Sequence, residues 1–238
     1  MITEYKINWA VPGNIGYFIS TNETGNSKGK YKHANFSNQV GEDSKNVESN
    51  INELKTLHGL NDITFMNQTH SNTVLKVCKE HTHLDCDAMF TEDKTISCAV
   101  LTADCIPILV TESSGRMIGC IHAGWRGLQS KIIENFFSKF KSISKSNFRI
   151  LLGPCISAQN YEVSDEIFCK FSNYSERFRK NKSGNYYMDL RYIACDILNE
   201  LGITNVTISK SCTYNDNFYS YRKDKTTGRF VSLIWFKK

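Results

Sequence analysis

Two histidines and one cysteine stand in three short blocks of this chain. They are His70 in Asn67-Gln68-Thr69-His70, Cys105 in Thr102-Ala103-Asp104-Cys105, and His122 in Ile121-His122-Ala123-Gly124-Trp125-Arg126-Gly127. Imidazole nitrogen and thiolate sulfur are ligands that zinc takes readily. Three protein ligands leave the fourth tetrahedral position open for water or substrate, the arrangement of a catalytic site. A structural zinc is usually closed by four ligands in tight pairs such as C-x2-C. Here the ligands are 35 and then 17 residues apart, so only the fold can assemble them.

The bland reading of each residue is different. A lone buried cysteine is usually a small hydrophobe, and a histidine at a strand end is more often a hydrogen-bonding residue than a ligand. Asp104 shifts the balance, because a carboxylate inside an apolar run is costly unless it is paired. On an extended strand it points to the face opposite Cys105, where it either orders the ligands from behind or meets an arginine. Gly124-Trp125-Arg126-Gly127 opens a helix. Its free N–H groups and dipole favour a phosphate or carboxylate, with Arg126 as a clamp.

A competing cluster is Cys78-x2-His81-x-His83-x2-Cys86. Its spacing is unusual and its context polar, so it reads as a solvated loop, and substitution of either histidine is expected to do little. Cys155, Cys169, Cys195 and Cys212 have no paired spacing and read as core thiols. Ser220-Tyr221-Arg222-Lys223 and Thr226-Thr227-Gly228-Arg229 read as a solvated hairpin turn whose basic residues could reach an anionic ligand.

Positioning these residues takes a scaffold. Asp43 or Ser44 caps a helix through about Leu57, with Val47, Ile51, Leu54 and Leu57 on one face. Residues 62–66 and 73–78 read as strands. Residues 95–110 form an apolar run read as one buried strand or two, and 116–121 follow after the turn at Ser113-Ser114-Gly115. From Gly124 the pattern becomes helical, with Leu128, Ile132, Ile133, Phe136, Phe137 and Phe140 in period. Residues 148–152 form a strand, 165–178 and 190–201 helices, and 206–209 and 230–235 strands. The polar stretch 21–42 reads as loop with one short strand, long enough to suggest a functional role. Strands and helices interleave without strict alternation, which argues for a single mixed α/β, or α+β, layered domain over a regular parallel wound sheet.

Composition narrows the partners. The chain has 238 residues, and its net charge of +5 is mild. It has no dense basic run, which argues against nucleic acid and leaves room for small anions such as phosphate. The start has no basic segment leading into an apolar one, so no signal peptide is expected. No apolar stretch reaches the roughly 18 residues of a membrane span. Nine cysteines without a secretory signal suggest a reducing, cytoplasmic setting. The chain is expected as a monomer or homodimer.

The blocks also resemble a known family. Asn67-Gln68-Thr69-His70, Asp87-Ala88-Met89-Phe90-Thr91, Leu101-Thr102-Ala103-Asp104-Cys105-Ile106-Pro107, His122-Ala123-Gly124-Trp125-Arg126-Gly127, Gly153-Pro154-Cys155-Ile156, Tyr161-Glu162-Val163, Cys212-Thr213 and Ser220-Tyr221-Arg222 look like the laccase-domain, or polyphenol oxidase, family. Its members were later assigned as zinc-dependent purine nucleoside phosphorylases that also deaminate adenosine. The resemblance spans nearly the whole chain, 1–238. It implies a four-layer α/β/β/α sandwich and a zinc on His70, Cys105 and His122. It also implies phosphorolysis of adenosine, inosine, guanosine and methylthioadenosine, with adenosine deamination beside it.

Cys105, His122 and Asp104 are then the candidate catalytic residues, and Asn35, Gln68, Arg126 and Arg222 the candidate substrate-binding ones. Asn22 and Ile51 stand where the family often has arginine. Two lost cations predict weaker phosphate binding, with a high KM for phosphate and with deamination relatively spared.

Three alternatives remain. A multicopper phenol oxidase needs many more histidines than the six here, although a single Cu2+ could occupy the three-ligand site in vitro. A metal-free hydrolase would use Cys105 as nucleophile and His122 as base. A non-catalytic metal-binding module fits an open site least well.

Overall fold

The structure is a computed structural model and describes residues 1–79 and 84–238. His81 and His83 of the competing cluster therefore lie outside the described residues.

In chain order, strand β1 (Ile15–Ile19) leads through a loop to helix α1 (Ser44–His58). Strands β2 (Thr64–Phe65), β3 (Val74–Lys76), β4 (Ala88–Thr91), β5 (Cys98–Thr102), β6 (Ile106–Glu112) and β7 (Ile118–Ala123) follow, then helices α2 (Trp125–Gln129) and α3 (Ile132–Ser138). Strands β8 (Phe148–Leu152) and β9 (Glu162–Val163), helix α4 (Asp165–Lys170) and strands β10 (Phe178–Lys180) and β11 (Tyr186–Met188) come next. Helix α5 (Leu190–Glu200), strand β12 (Val206–Ile208), helix α6 (Tyr221–Asp224) and strand β13 (Phe230–Phe236) close the chain.

One sheet has the order β1-β13-β5-β2, a second β12-β8-β6-β7-β4-β3, and a small third β10-β11-β9. Alternation along each strand sorts side chains into layers. Ile15, Ile19, Cys98, Val100, Phe230 and Ile234 face inward against Met89, Leu109, Cys120 and Leu151, making the core between the two large sheets. On the outer face of the first sheet Phe18, Ala99, Val231 and Leu233 pack beneath Leu54 of α1. On the outer face of the second, Phe90, Ile106, Ile108, Val110 and Ile121 pack under Ile132, Ile133, Phe136 and Phe137 of α3 and Ile193, Ala194 and Ile197 of α5. The result is a four-layer α/β/β/α arrangement. No helix among the described residues is long and apolar enough to cross a membrane.

Helix α1 begins where Asp43 accepts a hydrogen bond from the Lys45 N–H, and ends at Gly59, whose φ of 64° closes the last turn. Leu57 is exposed, while Asn50 is wholly buried on the core side. Its amide donates to Ser27 Oγ and the Asn35 carbonyl, tying the 26–35 loop to the helix.

Several local expectations are corrected. The apolar run 95–110 is two strands in different sheets, β5 and β6, joined by a corner at Asp104 with φ of 101°. Asp104 thus lies at a bend, not within a buried strand. The helical pattern after Gly124 breaks at Lys131, whose φ is 68°, giving α2 and α3. The 165–178 helix shortens to α4 followed by 3-10 turns. The 220–229 hairpin is instead helix α6, capped where Ser220 accepts from the Lys223 N–H. The 21–42 stretch forms only a bridge, between Ser27 and His33, and two single turns. Cys155 and Cys212 are buried, Cys195 is partly buried, and Cys169 is exposed on α4, so it is no core thiol.

Candidate metal centre and active-site cavity

The tertiary fold brings together the three donors that the sequence spaces far apart. One ligand atom each from His70, Cys105 and His122 lies within 4.8 Å of the others. His122 is the penultimate residue of β7, Cys105 sits at the corner before β6, and His70 comes from the loop between β2 and β3. The two imidazole rings meet edge to face at 4.8 Å between centroids. Cys105 Sγ lies 3.9 Å from His70 Nε2. The set fits a soft divalent ion, whose bonds to such donors are about 2.0–2.3 Å. His70 is exposed, whereas His122 is buried. Gly124 makes the space, since a Cβ there would stand 2.8 Å from Cys105 Sγ and 3.2 Å from His70 Cδ2.

Asp87 organises this cluster, and the sequence reading passed over it. It is fully buried, immediately before β4. Its Oδ1 accepts from His122 Nδ1 at 2.7 Å and from the His70 N–H at 3.0 Å. Its Oδ2 accepts from the Ser71 N–H and hydroxyl at 2.6 and 2.7 Å, and from the Thr69 N–H at 3.2 Å. Its carbonyl also accepts from the His122 N–H at 2.7 Å. One carboxylate thereby fixes the ring orientation of one candidate ligand and the backbone of another, leaving Nε2 of His122 to face the cluster. His70 is in the left-handed region at φ of 61°, a conformation that persists only where surroundings over-determine it. The three N–H bonds to Asp87 do so. The signal was available: an acid at the start of a fully buried strand carries the same cost as Asp104.

Electrostatics follow the geometry. Burial alone raises the Cys105 thiol, but His122 and His70 outweigh it and bring it down to about 6. Burial lowers the His122 imidazole, yet Cys105 and Asp87 push it up to about 9. Burial also raises Asp87, and the bonds from His122 and Ser71 overcome this, holding it at about 2. In metal-free protein the thiolate–imidazolium pair therefore exists between pH about 6 and about 9. Its contribution is lost below that window as sulfur protonates and above it as the imidazole deprotonates. Alkylation of Cys105 by iodoacetamide in chelator-treated protein is expected to show a midpoint near pH 6, well below the ordinary thiol value of about 8.5. His122→Ala should return it towards that value. A midpoint above 8 in the unmodified chain would contradict the pairing.

The donors open into a cavity of about 730 Å³. Its wall includes Phe65, Ile51, Gln68, Asp104, Tyr161, Tyr221, Arg126, Arg222, Lys225 and Arg229. The volume suits a small-molecule ligand. A shallower recess of about 400 Å³, lined by Trp125, Arg126 and Lys170, adjoins it at His70. Lys225 was not singled out from the sequence, Arg229 only as a basic residue of the 220–229 turn that could reach an anion, and Tyr161 only within a family block.

The expected site residues divide. Arg126 and Arg222 line the cavity, Arg126 stacking on Trp125 at 4.5 Å and Arg222 on Tyr161 at 4.9 Å. Gln68 lines it too, but its amide is used on both sides by the Leu101 backbone, at 2.8 and 2.9 Å. Asp104 accepts from Thr213 Oγ1 and from the Arg222 N–H, both at 2.6 Å, so its carboxylate staples the corner beside Cys105. Asn35 does not line the cavity. It is wholly buried, and its amide bonds the Ser37 carbonyl, Glu42 and the Ser37 and Arg229 N–H groups. Its place is to shape the loop, since no donor or acceptor remains directed at a ligand.

This chain is 35% identical over 239 residues to a Haemophilus influenzae protein named purine nucleoside phosphorylase, covering 97% of this chain and 98% of that one. It is 32% identical over 235 residues to purine nucleoside phosphorylase YfiH of Escherichia coli, covering 95% and 96%. Among solved structures, a Neisseria meningitidis protein matches with a TM-score of 0.93 at 32% identity, covering 99% of both chains. YlmD of Geobacillus stearothermophilus matches at 0.91 and 25% identity, covering 100% of this chain and 99% of that one. Residues 16–237 match the family described as multi-copper polyphenol oxidoreductase laccase, and with relatives this similar across nearly their whole length, the chain belongs to that family.

Proposed function

We propose that the protein is a zinc-dependent purine nucleoside phosphorylase. On this reading it cleaves adenosine, inosine, guanosine and methylthioadenosine with phosphate, and deaminates adenosine as a second activity. The observation that carries the reading is one cavity holding both a three-donor metal set and several cations. A metal set alone would suit many hydrolases, and cations alone any anion site. Together they suit a reaction in which phosphate meets an organic substrate. The names of the relatives support the same class of reaction.

In phosphorolysis a phosphate oxygen bonds to C1′ of the sugar while the C1′–N9 bond breaks, and its electron pair departs on the purine. His70, Cys105 and His122 would hold zinc, which when bound supplies Lewis acidity for charge developing on the substrate. Arginine side chains hold phosphate by charge-assisted bonds and orient it. Phe65 and Ile51 give the cavity an apolar wall that limits water, which would otherwise compete with phosphate as nucleophile. Tyr161 remains a neutral phenol, its acidity suppressed first by burial and then by Cys105, and so serves as a hydrogen-bond donor. Deamination needs no phosphate: water replaces the amino group at C6 and ammonia leaves.

A second reading, a metal-free hydrolase, is favoured by the paired thiolate and imidazolium of Cys105 and His122. Assay of a nucleoside panel with and without phosphate, beside elemental analysis, separates the two. Phosphate-dependent release of free purine and about one zinc per chain are expected. Active protein without metal would favour the hydrolase, and base release indifferent to phosphate would overturn the phosphorylase.

A further inference from the structure

We propose that Arg229, with Lys225 and Arg222 beside it, is the seat of inorganic phosphate in this cavity, so that the segment 221–229 and not helix α1 supplies the anion's partners. The identification of the anion as a co-substrate rests on the phosphorylase reading. The existence of an anion seat does not.

Arg229 is partly buried and lines the cavity. Its Nη1 donates to the Thr227 and Gly228 carbonyls at 3.0 and 2.9 Å, and its backbone N–H donates to Asn35 at 2.8 Å. These bonds lock the base of the side chain and one edge of the guanidinium. Nε and Nη2 have no acceptor among the described residues. No carboxylate there lies within 4.0 Å of the charged groups of Arg229, Arg222 or Lys225. Burial disfavours the Arg229 cation, while Cys105 and Asp104 partly offset this from a distance. A desolvated cation without a counter-ion is costly, and a bound anion removes that cost. A guanidinium with one edge locked presents its remaining donors in the fork that suits a phosphate oxygen pair.

The neighbours point the same way. Arg229 and Lys225 both approach the Tyr221 ring, at 6.0 and 5.6 Å from its centroid. Lys225, the C-cap of α6, has φ of 59° and ψ of −58°, a conformation that non-glycine residues rarely adopt. The Arg222 N–H is bonded to Asp104, the residue before Cys105, so the cationic segment is fastened to the corner carrying a metal donor. Ile51 of α1 lines the cavity with an apolar surface, and Asn22 does not line it. The arginines that the family often has near the N-terminus are thus replaced, and apart from Arg126 of α2 the cations lining the cavity come from the segment 221–229.

The test uses metal-loaded full-length protein. Phosphate binding is measured directly by calorimetry, and initial rates of hypoxanthine release from inosine are measured against phosphate concentration. Arg229→Gln is expected to raise both the phosphate Kd and the KM for phosphate by about ten- to a hundredfold, the loss of one charge-assisted contact. The KM for inosine and the metal content should hold within about threefold. Lys225→Gln should shift phosphate in the same direction by less. Arg229→Lys, which keeps the charge and loses the fork, should fall between and serves if the glutamine variant does not fold.

Unchanged phosphate binding in any folded Arg229 variant overturns the proposal. Phosphate binding weakened by Arg229→Gln in a protein that never phosphorolyses nucleosides would keep the seat and discard the phosphorylase reading. If inosine 5′-monophosphate binding depends on Arg229 while inorganic phosphate binding does not, the seat belongs to a nucleotide and the proposal fails.

Discussion

Cys105→Ala and His122→Ala are each expected to lower turnover to about a thousandth of wild type or less, with the fold intact. Lewis acidity from a metal contributes several kcal/mol to such reactions, and each decade of rate is about 1.36 kcal/mol. His70→Ala should do the same, although its exposed side chain leaves most room for water or buffer to substitute. The fold should survive because these residues line a cavity and the three hydrophobic cores lie elsewhere. Turnover on the nucleoside panel, zinc content and melting temperature should be measured together. A cysteine variant that loses metal yet keeps wild-type turnover would dismiss the metal reading. One that keeps its metal and loses all turnover would favour a nucleophilic sulfur.

The second large effect belongs to Asp87. Asp87→Asn keeps one acceptor oxygen but places an NH2 where three backbone N–H groups and a hydroxyl now converge on the carboxylate. It also removes the charge that orients and raises His122. Replacing the group behind a metal ligand typically costs 10–100-fold in metal affinity or activity, and competition against a zinc chelator would read this directly. Stability should change in a pH-dependent way. Asp87 is held at about 2, below its ordinary value of 3.8. Its contribution is therefore full above pH about 4 and is lost as pH falls towards 2. The difference in melting temperature between wild type and Asp87→Asn should shrink across that window. Equal zinc affinity in the two proteins would show that the loop 69–71 is held by other contacts.

What the sequence determined by itself is local. Helix α1 was legible because its cap at Asp43 and most of its apolar face, Val47, Ile51 and Leu54, are written in the sequence. Strands β8 and β13 and helix α5 were legible from apolar periodicity and flanking turns. The three donors were legible as types, because histidine and cysteine are ligands that zinc takes readily, although only Cys105 stands beside an acid. The tertiary structure decided what depends on distant partners. The run 95–110 has uniform apolar character, so periodicity could not show that β5 and β6 enter different sheets with a corner at Asp104. The break at Lys131 follows from packing two short helices over one sheet, against a helical pattern that continues through it. Asn35 and Gln68 carried the right chemistry for a ligand, yet the Leu101 backbone takes both ends of the Gln68 amide, and Ser37, Glu42 and the Arg229 N–H take that of Asn35. Lys225 carried no local mark of function, and Asp87 and Arg229 only weak ones, an acid at the start of a buried strand and a basic residue in a turn. Their roles arise because Asp87 comes to lie behind His122 and His70 while the end of α6 and the approach to β13 line the cavity, and convergence of that kind is set by long-range packing that no window of neighbouring residues contains.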